Sequence, residues 1–297
     1  MSLELISLSI IVVWGLFMIA LERKFPYDPQ RFFRRGFFTD FVMYTLFHSW
    51  WLGFLIAALI RWVDSSSGLS RLQLVSSWPL WLQCLFFFVV HDFYIYWFHR
   101  WQHNNRFLWR VHEAHHSVKD VDWVAGSRSH AVEILINQTI EFAPIALLGA
   151  APEVAIFKGT IDAVWGMWIH ANVGVKSGWL QYVINGPEMH RWHHGLGNPK
   201  LNYATKLAIW DWIFGTAYNP DKKPKGYGFT HKSHYPEEPD FEPGTGWWKK
   251  LARLVIVYFD QHATMFRPFE KPIHAKQRAP KEAPPAASAG PTLPVAR

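Results

Sequence analysis

Three long apolar segments restrict the folds open to this chain. They cover residues 4–21, 38–60 and 77–98, and a helix needs about 20 predominantly apolar residues to cross a bilayer. The first segment lacks the basic start and small-residue cleavage site of a signal peptide, so we expect it to be retained as a transmembrane helix. The sequence therefore predicts an integral membrane protein with several spans.

A further apolar region is interrupted in its middle by a proline. Residues 132–150 and 152–170 meet at Ala151–Pro152, and proline is well tolerated only in the first turn of a helix. We interpret this region as a helical hairpin that enters the membrane and returns. The predicted fold is all-α, with four or five membrane helices including the hairpin, a cytoplasmic helical cap, and no β-sheet.

Changes in composition along the chain suggest three parts. Residues 1–75 are predicted to form N-terminal membrane helices, and residues 76–270 a catalytic domain of membrane helices and a cytosolic cap. Residues 271–297 are rich in Pro and Ala and have no apolar periodicity. We expect this tail to be disordered, because it cannot bury enough apolar surface to offset the loss of chain entropy.

The charge and cysteine content exclude some kinds of partner and site. The formal net charge is +7, yet no run of Lys and Arg is long enough to indicate nucleic-acid binding. Attraction to anionic lipid is the simpler explanation of the positive charge. Cys84 is the only cysteine, so the sequence offers neither a disulfide framework nor a thiolate metal site.

The loops between the apolar segments predict an orientation. Segment 22–37 contains five Lys and Arg residues, whereas segment 64–76 contains only Arg71. Because basic short loops remain in the cytoplasm, the first loop is expected there, and so are the histidine clusters described next. The short loops fit a multi-pass protein of a bacterial inner membrane, or of the endoplasmic reticulum if the source is eukaryotic.

Histidines are concentrated in one part of the chain. Eleven of the sixteen lie between His91 and His194. Three tight clusters have the spacings HxxxH, HxxHH and HxxHH, and together they contain His99, His103, His112, His115, His116, His190, His193 and His194. Residues three or four apart share one helix face, and one metal ion rarely takes more than about four such ligands. Eight converging imidazoles therefore predict two metal ions.

Two other functions are compatible with parts of this pattern. Residues 112–116 read HExxH, which is typical of zinc hydrolases in which the glutamate, here Glu113, acts as general base. That interpretation leaves His115 and the other clusters without a role. A metal transporter would place its ligands at mid-membrane on broken helices, whereas these clusters fall at span ends or in polar sequence.

The combined motifs resemble those of a known enzyme family. The matching segments are DFYIYWFHRWQH, LWRVHEAHHS, RSHAVE, IHANVG, HRWHHG and NYATKLAIWDWIFGTAYNP, within roughly residues 90–220. Together they are similar to the fatty acid hydroxylase/sterol desaturase superfamily of integral-membrane, non-haem di-iron enzymes, and most similar to its sterol-desaturase-like branch. The resemblance implies that the eight cluster histidines are metal ligands and that His170 is a ninth. Some relatives have another histidine where this chain has Gly166.

The resemblance also implies a reaction. Two iron ions would activate O₂ and attack a C–H bond of a lipid, such as a sterol or a fatty acyl chain, to hydroxylate or desaturate it. The sequence contains no CxxC cluster, GxGxxG fingerprint or haem-binding domain. A separate electron-donor protein or reductase is therefore expected to supply the electrons.

Polar residues near the clusters are candidates for supporting the ligands. Metal-bound histidines usually donate their second ring N–H to a carboxylate or a carbonyl. His91 lies two helical turns before His99, so it could face the same side, and we interpret it as a buried helix-packing or supporting histidine. The candidates that we single out for a supporting role are Asp92, Glu113, His130, Glu133 and Asp211.

Overall fold

The computed structural model describes most of the chain as helices. The described residues are 1–197, 199–229, 235–236, 238, 241 and 244–268. The α-helices in chain order are α1 (Leu3–Lys24), α2 (Thr39–Ser67, whose first ten residues are π-helical), α3 (Leu80–Asn104), α4 (Arg106–His116), α5 (Ala131–Leu147), α6 (Pro152–His170), α7 (Pro187–His193), α8 (Ile209–Ile213) and α9 (Trp247–Ala263).

The first three helices are long and apolar enough to cross a membrane. They contain 22, 29 and 25 residues, and each largely exposes its apolar side chains on the outside of the protein. A water-soluble helix would bury such a face, so these helices identify a membrane protein. Within the described residues, the only β-pairings are two isolated bridges. The all-helical prediction is therefore confirmed for this part of the chain.

Helices α5 and α6 form the predicted hairpin. Pro152 occupies the first turn of α6, where its missing N–H costs no hydrogen bond. The exact number of membrane spans and the orientation of the cap stay predictions, because only α1, α2 and α3 meet the criteria of length and hydropathy.

Side-chain contacts connect the outer helices to the hairpin. Helix α1 packs along α6, where Trp14 donates a hydrogen bond from Nε1 to the Val164 carbonyl at 2.9 Å. At the far end of α1, the buried Glu22 carboxylate accepts the backbone N–H groups of Trp123 and Asn172, each at 2.8 Å. The loops that follow α4 and α6 are thereby fixed to one helix.

Residues Met1–Met265 form one compact unit. The predicted disordered tail at 271–297 lies outside the described residues, as do His231, His234 and His274. The proposed boundary at residues 75 and 76 falls in the loop between α2 and α3 and stays a prediction.

Candidate metal centre

The fold brings nine histidines together in two adjacent groups. Within each group, one ring nitrogen of every histidine lies within 4.8 Å of those of the others. All nine side chains are buried. The five-histidine group contains His99, His103, His112, His116 and His193, and the four-histidine group contains His115, His170, His190 and His194. These are the nine positions that the sequence analysis named as candidate ligands. Their division into a group of five and a group of four was not predicted from the sequence.

Helix geometry explains how each HxxHH segment contributes to both groups. On α4, His112 and His116 are four residues apart and share one face, whereas His115 faces the other group. The segment around α7 does the reverse, because His190 and His194 join the four-histidine group and His193 joins the five-histidine group. Each of the two segments therefore contributes histidines to both groups, and the groups lie side by side.

In the five-histidine group, backbone and side-chain oxygens orient the rings. His99 donates from Nδ1 to the Tyr203 carbonyl at 2.7 Å, and His193 donates from Nδ1 to the Leu201 carbonyl at 2.9 Å. His112 donates from Nδ1 to Glu133 at 2.8 Å. A neutral imidazole has one N–H, and in these rings it is on Nδ1. Each Nε2 atom therefore keeps a lone pair, which is directed into the group.

The four-histidine group is oriented in the same way. His115 donates from Nδ1 to the Arg128 carbonyl at 3.2 Å, and His170 donates from Nδ1 to the Gly166 carbonyl at 2.8 Å. The Nε2 atoms of His170 and His190 are 3.0 Å apart, and those of His190 and His194 are 3.1 Å apart.

The facing nitrogens fit a cation better than hydrogen bonds. The Nε2 atoms of His99 and His112 are 3.0 Å apart, although both rings use their N–H elsewhere. Two lone pairs at this distance repel each other unless a cation lies between them. Two nitrogens that each lie about 2.1 Å from one ion are about 3.0 to 3.4 Å apart at right-angled to tetrahedral geometry. The observed spacings therefore match a shared metal ion.

Protonation is an unfavourable alternative to a metal ion. Burial lowers the pKa of His112, His116, His193 and His194 well below the ordinary histidine value, and neighbouring imidazoles lower it further. These rings are therefore neutral at neutral pH, which is the ligating form. The Nε2 atom of His193 is buried and makes no hydrogen bond, as expected of a nitrogen kept for a metal.

Glu133 contacts the five-histidine group, and its supporting role in metal binding stays a prediction. Its Oε1 accepts hydrogen bonds from His112 Nδ1 at 2.8 Å and from Gln102 Nε2 at 2.9 Å. A carboxylate in this position fixes the orientation of the imidazole and increases its basicity. Gln102 was not singled out in the sequence, because a single glutamine in an aromatic helix gives no signal.

Asp211 does not contact a histidine ring but contacts the backbone segment that orients one. It accepts the backbone N–H groups of Tyr203 and Ala204 at 2.8 and 2.9 Å, and burial raises its pKa to about 6. Through Tyr203, whose carbonyl accepts from His99, Asp211 fixes the position of a ring without contacting it.

The remaining predicted supporting residues contact other parts of the protein. His130 caps α5 by accepting from Val132 N–H, and donates to the His262 carbonyl at 3.0 Å. Glu113 lies 3.8 Å from Arg110 and belongs to neither histidine group. A role for these two residues in metal binding stays a prediction.

Asp92, on α3, holds the segment of residues 205–210 in place. The fully buried carboxylate accepts from Thr205 Oγ1, from the backbone N–H groups of Lys206 and Leu207, and from Trp210 Nε1, at 2.9 to 3.2 Å. Tyr203 lies just before this segment, so Asp92 stabilises the region that supplies the carbonyl to His99.

Replacing Asp92 is expected to destabilise the protein. The Asp92→Ala variant leaves four buried or partly buried donors without their acceptor, and each unpaired buried donor costs roughly 1–3 kcal/mol. We expect a loss of about 2–4 kcal/mol in unfolding free energy after relaxation, measured as a lower denaturation midpoint in detergent. The exposed Asp120 provides the matched control, and an equal loss in Asp120→Ala would contradict the assignment.

Comparison with known proteins agrees with the geometry. The sequence profile of the family described as fatty acid hydroxylase matches residues 84–216, which include all nine histidines. No solved structure gives a significant match.

Three curated relatives show the range of similar proteins. Ornithine lipid hydroxylase OlsE of Rhizobium tropici is 35% identical over 49% of this chain and 44% of its own length. Alkylglycerol monooxygenase of Homo sapiens is 35% identical over 48% of this chain and 32% of its own length. Methylsterol monooxygenase 1-3 of Arabidopsis thaliana is 30% identical over 50% of this chain and 52% of its own length.

In each case the match spans about half of the relative's length or less. The family profile covers the segment that holds both histidine groups. Residues 84–216 therefore resemble the fatty acid hydroxylase family, and the chain is similar to these three relatives over about half of its length.

Proposed function

We propose that the nine histidines bind two iron ions and that the protein uses O₂ to oxidise a C–H bond of a membrane lipid. The observation that carries this proposal is the pair of adjacent histidine groups, in which neutral imidazoles direct Nε2 lone pairs towards one another. Nitrogen-rich sites suit iron, zinc, copper and nickel. The choice of iron rests on the superfamily and not on the spacing.

Bound iron would supply the reduction of O₂ and the attack on the C–H bond. In a hydroxylation, one oxygen atom enters the lipid and the other leaves as water, which consumes two electrons and two protons. In a desaturation, two hydrogens leave the lipid and both oxygen atoms end as water. Either reaction needs two external electrons, so the proposal includes a separate electron-donor protein.

Other residues of the chain hold the histidine rings in position for metal binding. The carbonyls of Tyr203, Leu201, Arg128 and Gly166 and the carboxylate of Glu133 fix the ring orientations. Because each of these oxygens is itself held in a buried segment, the imidazoles need little reorganisation to bind metal. Burial of all nine rings excludes bulk water from the metal ligands.

The names of the relatives support a lipid substrate. They are described as acting on an ornithine lipid, an alkylglycerol and a methylsterol, and three helices of this chain fit a bilayer. We propose that the substrate enters from the membrane and that the metal site faces the cytoplasm, where soluble electron carriers are available. A bacterial inner membrane fits the short loops.

The zinc-hydrolase alternative explains fewer of the contacts. It requires Glu113 beside a metal held by His112 and His116, but Glu113 lies outside both histidine groups and near Arg110. It also leaves His99, His103 and His193 without a function. We therefore favour the oxidation of lipids.

Labelled oxygen tests the proposal. Membranes containing the protein, iron and a reducing system are incubated with ¹⁸O₂, and lipids are analysed by mass spectrometry. A hydroxylase gives a lipid with one ¹⁸O atom, and a desaturase gives a lipid lacking two hydrogens. Lipid hydrolysis products with no oxygen-dependent change would contradict the proposal, as would identical lipid profiles with and without the protein.

A further inference from the structure

A cavity of about 250 Å³ connects the histidine groups to a second cluster of buried ionisable side chains. At one end its lining includes His99, His115 and His170. At the other end it includes His91, Glu141 and Asp162. Charged groups are costly in the middle of membrane helices and usually have a function there, yet the metal centre uses none of these three.

The charged cluster lies at a defined distance from the metal centre. Eight residues separate His91 from His99 on α3 and Asp162 from His170 on α6. Eight residues likewise separate Glu141 from Glu133, the hydrogen-bond partner of His112, on α5. Since an α-helix rises 1.5 Å per residue, the charged cluster and the metal centre form two layers about 12 Å apart along all three helices.

A metal ion is not needed in the charged cluster, because a lysine already supplies the cation. Lys158 Nζ lies 2.5 Å from Glu141 Oε1, 2.5 Å from Asp162 Oδ2 and 2.9 Å from His91 Nδ1. These three contacts use all three N–H groups of an ammonium. Lys206 Nζ makes a further ion pair with Asp162 Oδ1 at 2.7 Å, so the two acids and two lysines balance in charge.

Two hydrogen-bond donors in the cavity nevertheless have no partner. His91 accepts from Lys158 at Nδ1, so its neutral ring carries its hydrogen on Nε2, and this buried atom makes no hydrogen bond. His91 is only 8% exposed. The Nε1–H of Trp165, which also lines the cavity, is buried and unpaired as well. Buried tryptophan N–H groups usually find an acceptor, so the two N–H groups are available to an acceptor atom of a bound molecule.

The cavity lining is apolar over most of its surface, but its α5 side carries a stripe of polar side chains between the two clusters. Helix α5 is largely apolar, but Glu133, Asn137, Gln138 and Glu141 all line the cavity, and their spacing places them along one stripe of the helix. A hydrocarbon chain on this route would take these groups out of water without replacing their hydrogen bonds, which is unfavourable. A polar segment of a lipid would satisfy them.

We infer that the cavity binds the oxygen-bearing head or linkage region of a membrane lipid, and that the oxidised C–H bond lies in or next to this region and not far along the hydrocarbon chain. This inference rests on the proposed function and specifies the part of the substrate that reaches the metals. His91 and Trp165 donate to carbonyl, carboxylate or ether oxygens, while the hydrocarbon chains stay on the membrane side.

Lipid binding by the metal-free protein tests the binding site separately from the reaction. Deuterated ornithine lipid retained by the detergent-purified protein is counted by mass spectrometry. Trp165→Phe keeps an aromatic ring but removes the N–H donor, so we expect about three- to tenfold weaker retention, as for the loss of one hydrogen bond. Trp81→Phe is the matched control, since Trp81 is 66% exposed at the start of α3. Equal retention in both variants would overturn the binding site.

A cavity-filling variant gives a second measurement. A Cβ atom at Gly166 would meet no atom within 4 Å, and Gly166 lines the cavity, so Gly166→Leu has room to fold and reduces the space for the lipid. We expect it to retain metal and to lose most of its bound lipid. Undiminished lipid binding by Gly166→Leu would contradict the cavity as the binding site.

Product analysis tests the position of oxidation. The iron-loaded protein is given ornithine lipid deuterated either in its headgroup or along its acyl chains, and, in parallel, an alkylglycerol. We expect loss of deuterium from the headgroup label, or oxidation next to the ether oxygen. Oxidation far along an acyl chain would overturn the inference and leave the proposed function intact. Lipid binding without any O₂-dependent oxidation would instead contradict the proposed function, with the binding site retained.

Discussion

The His103→Ala variant is expected to lose one metal ion per chain and its O₂-dependent activity. His103 belongs to the five-histidine group, where its ring lies 4.7 Å from that of His116 and 4.6 Å from that of His193 between centroids. Mutation of a residue that only supports a ligand typically lowers metal affinity or activity about 10–100-fold. The loss of a ligand itself should lower them at least as much. Metal content by mass spectrometry and oxidation of lipid measure the two effects.

Two further variants make this result specific. His194→Ala removes a ligand from the four-histidine group and should also lower the metal content. His262→Ala removes a partly buried histidine that belongs to neither group, so each folded chain should keep its metal. A zinc hydrolase built on His112, Glu113 and His116 predicts that His103→Ala keeps both its metal and its activity, and this outcome would contradict the two-metal account.

The second large effect is expected from a single added methyl group. Gly126 lies directly against the His170 ring, and a Cβ atom there would clash with Nδ1 and lie 2.8 Å from Cε1. Interiors are packed too tightly for such an overlap, so Gly126→Ala should displace the imidazole and break its hydrogen bond to the Gly166 carbonyl. We expect loss of metal from the four-histidine group and at least about 10-fold lower activity.

Gly166→Ala is the matched control for this change. Gly166 also contacts His170, through its carbonyl, but an added Cβ atom there meets nothing within 4 Å. It lies inside α6, where alanine is favoured over glycine by about 1 kcal/mol. We therefore expect full metal content and equal or higher stability. Normal metal content in Gly126→Ala would show that His170 is not required as a ligand.

The sequence predicted the identity of the histidines better than their arrangement. Residues four apart share a helix face, so the HxxxH and HxxHH spacings predicted convergence. They did not predict that His115 and His193 face the group opposite to that of their neighbours, because this depends on how α4 and α7 pack. His170 was identified from its position at the end of the predicted hairpin and from the resemblance to the superfamily, since an isolated histidine has no spacing to interpret.

The contacts that orient the rings depend on long-range packing. Backbone carbonyls of Tyr203, Leu201 and Arg128 accept from the histidines, and a carbonyl is present whatever the side chain, so no sequence signal reveals its role. The charged cluster was missed for a related reason. Glu141, Lys158 and Asp162 are single polar residues in apolar helices. Lys158 and Asp162 are one turn apart on α6, but only the packing of α5 against α6 brings Glu141 to Lys158.

The metal content of the intact protein tests the central claim most directly. The purified protein is loaded with ferrous iron without oxygen, freed of unbound metal, and analysed for metal and protein in the same sample. The two histidine groups predict two irons per chain, with Mössbauer spectra of neighbouring iron ions in nitrogen-rich sites. A single tightly bound zinc per chain, which iron does not replace, would contradict the account.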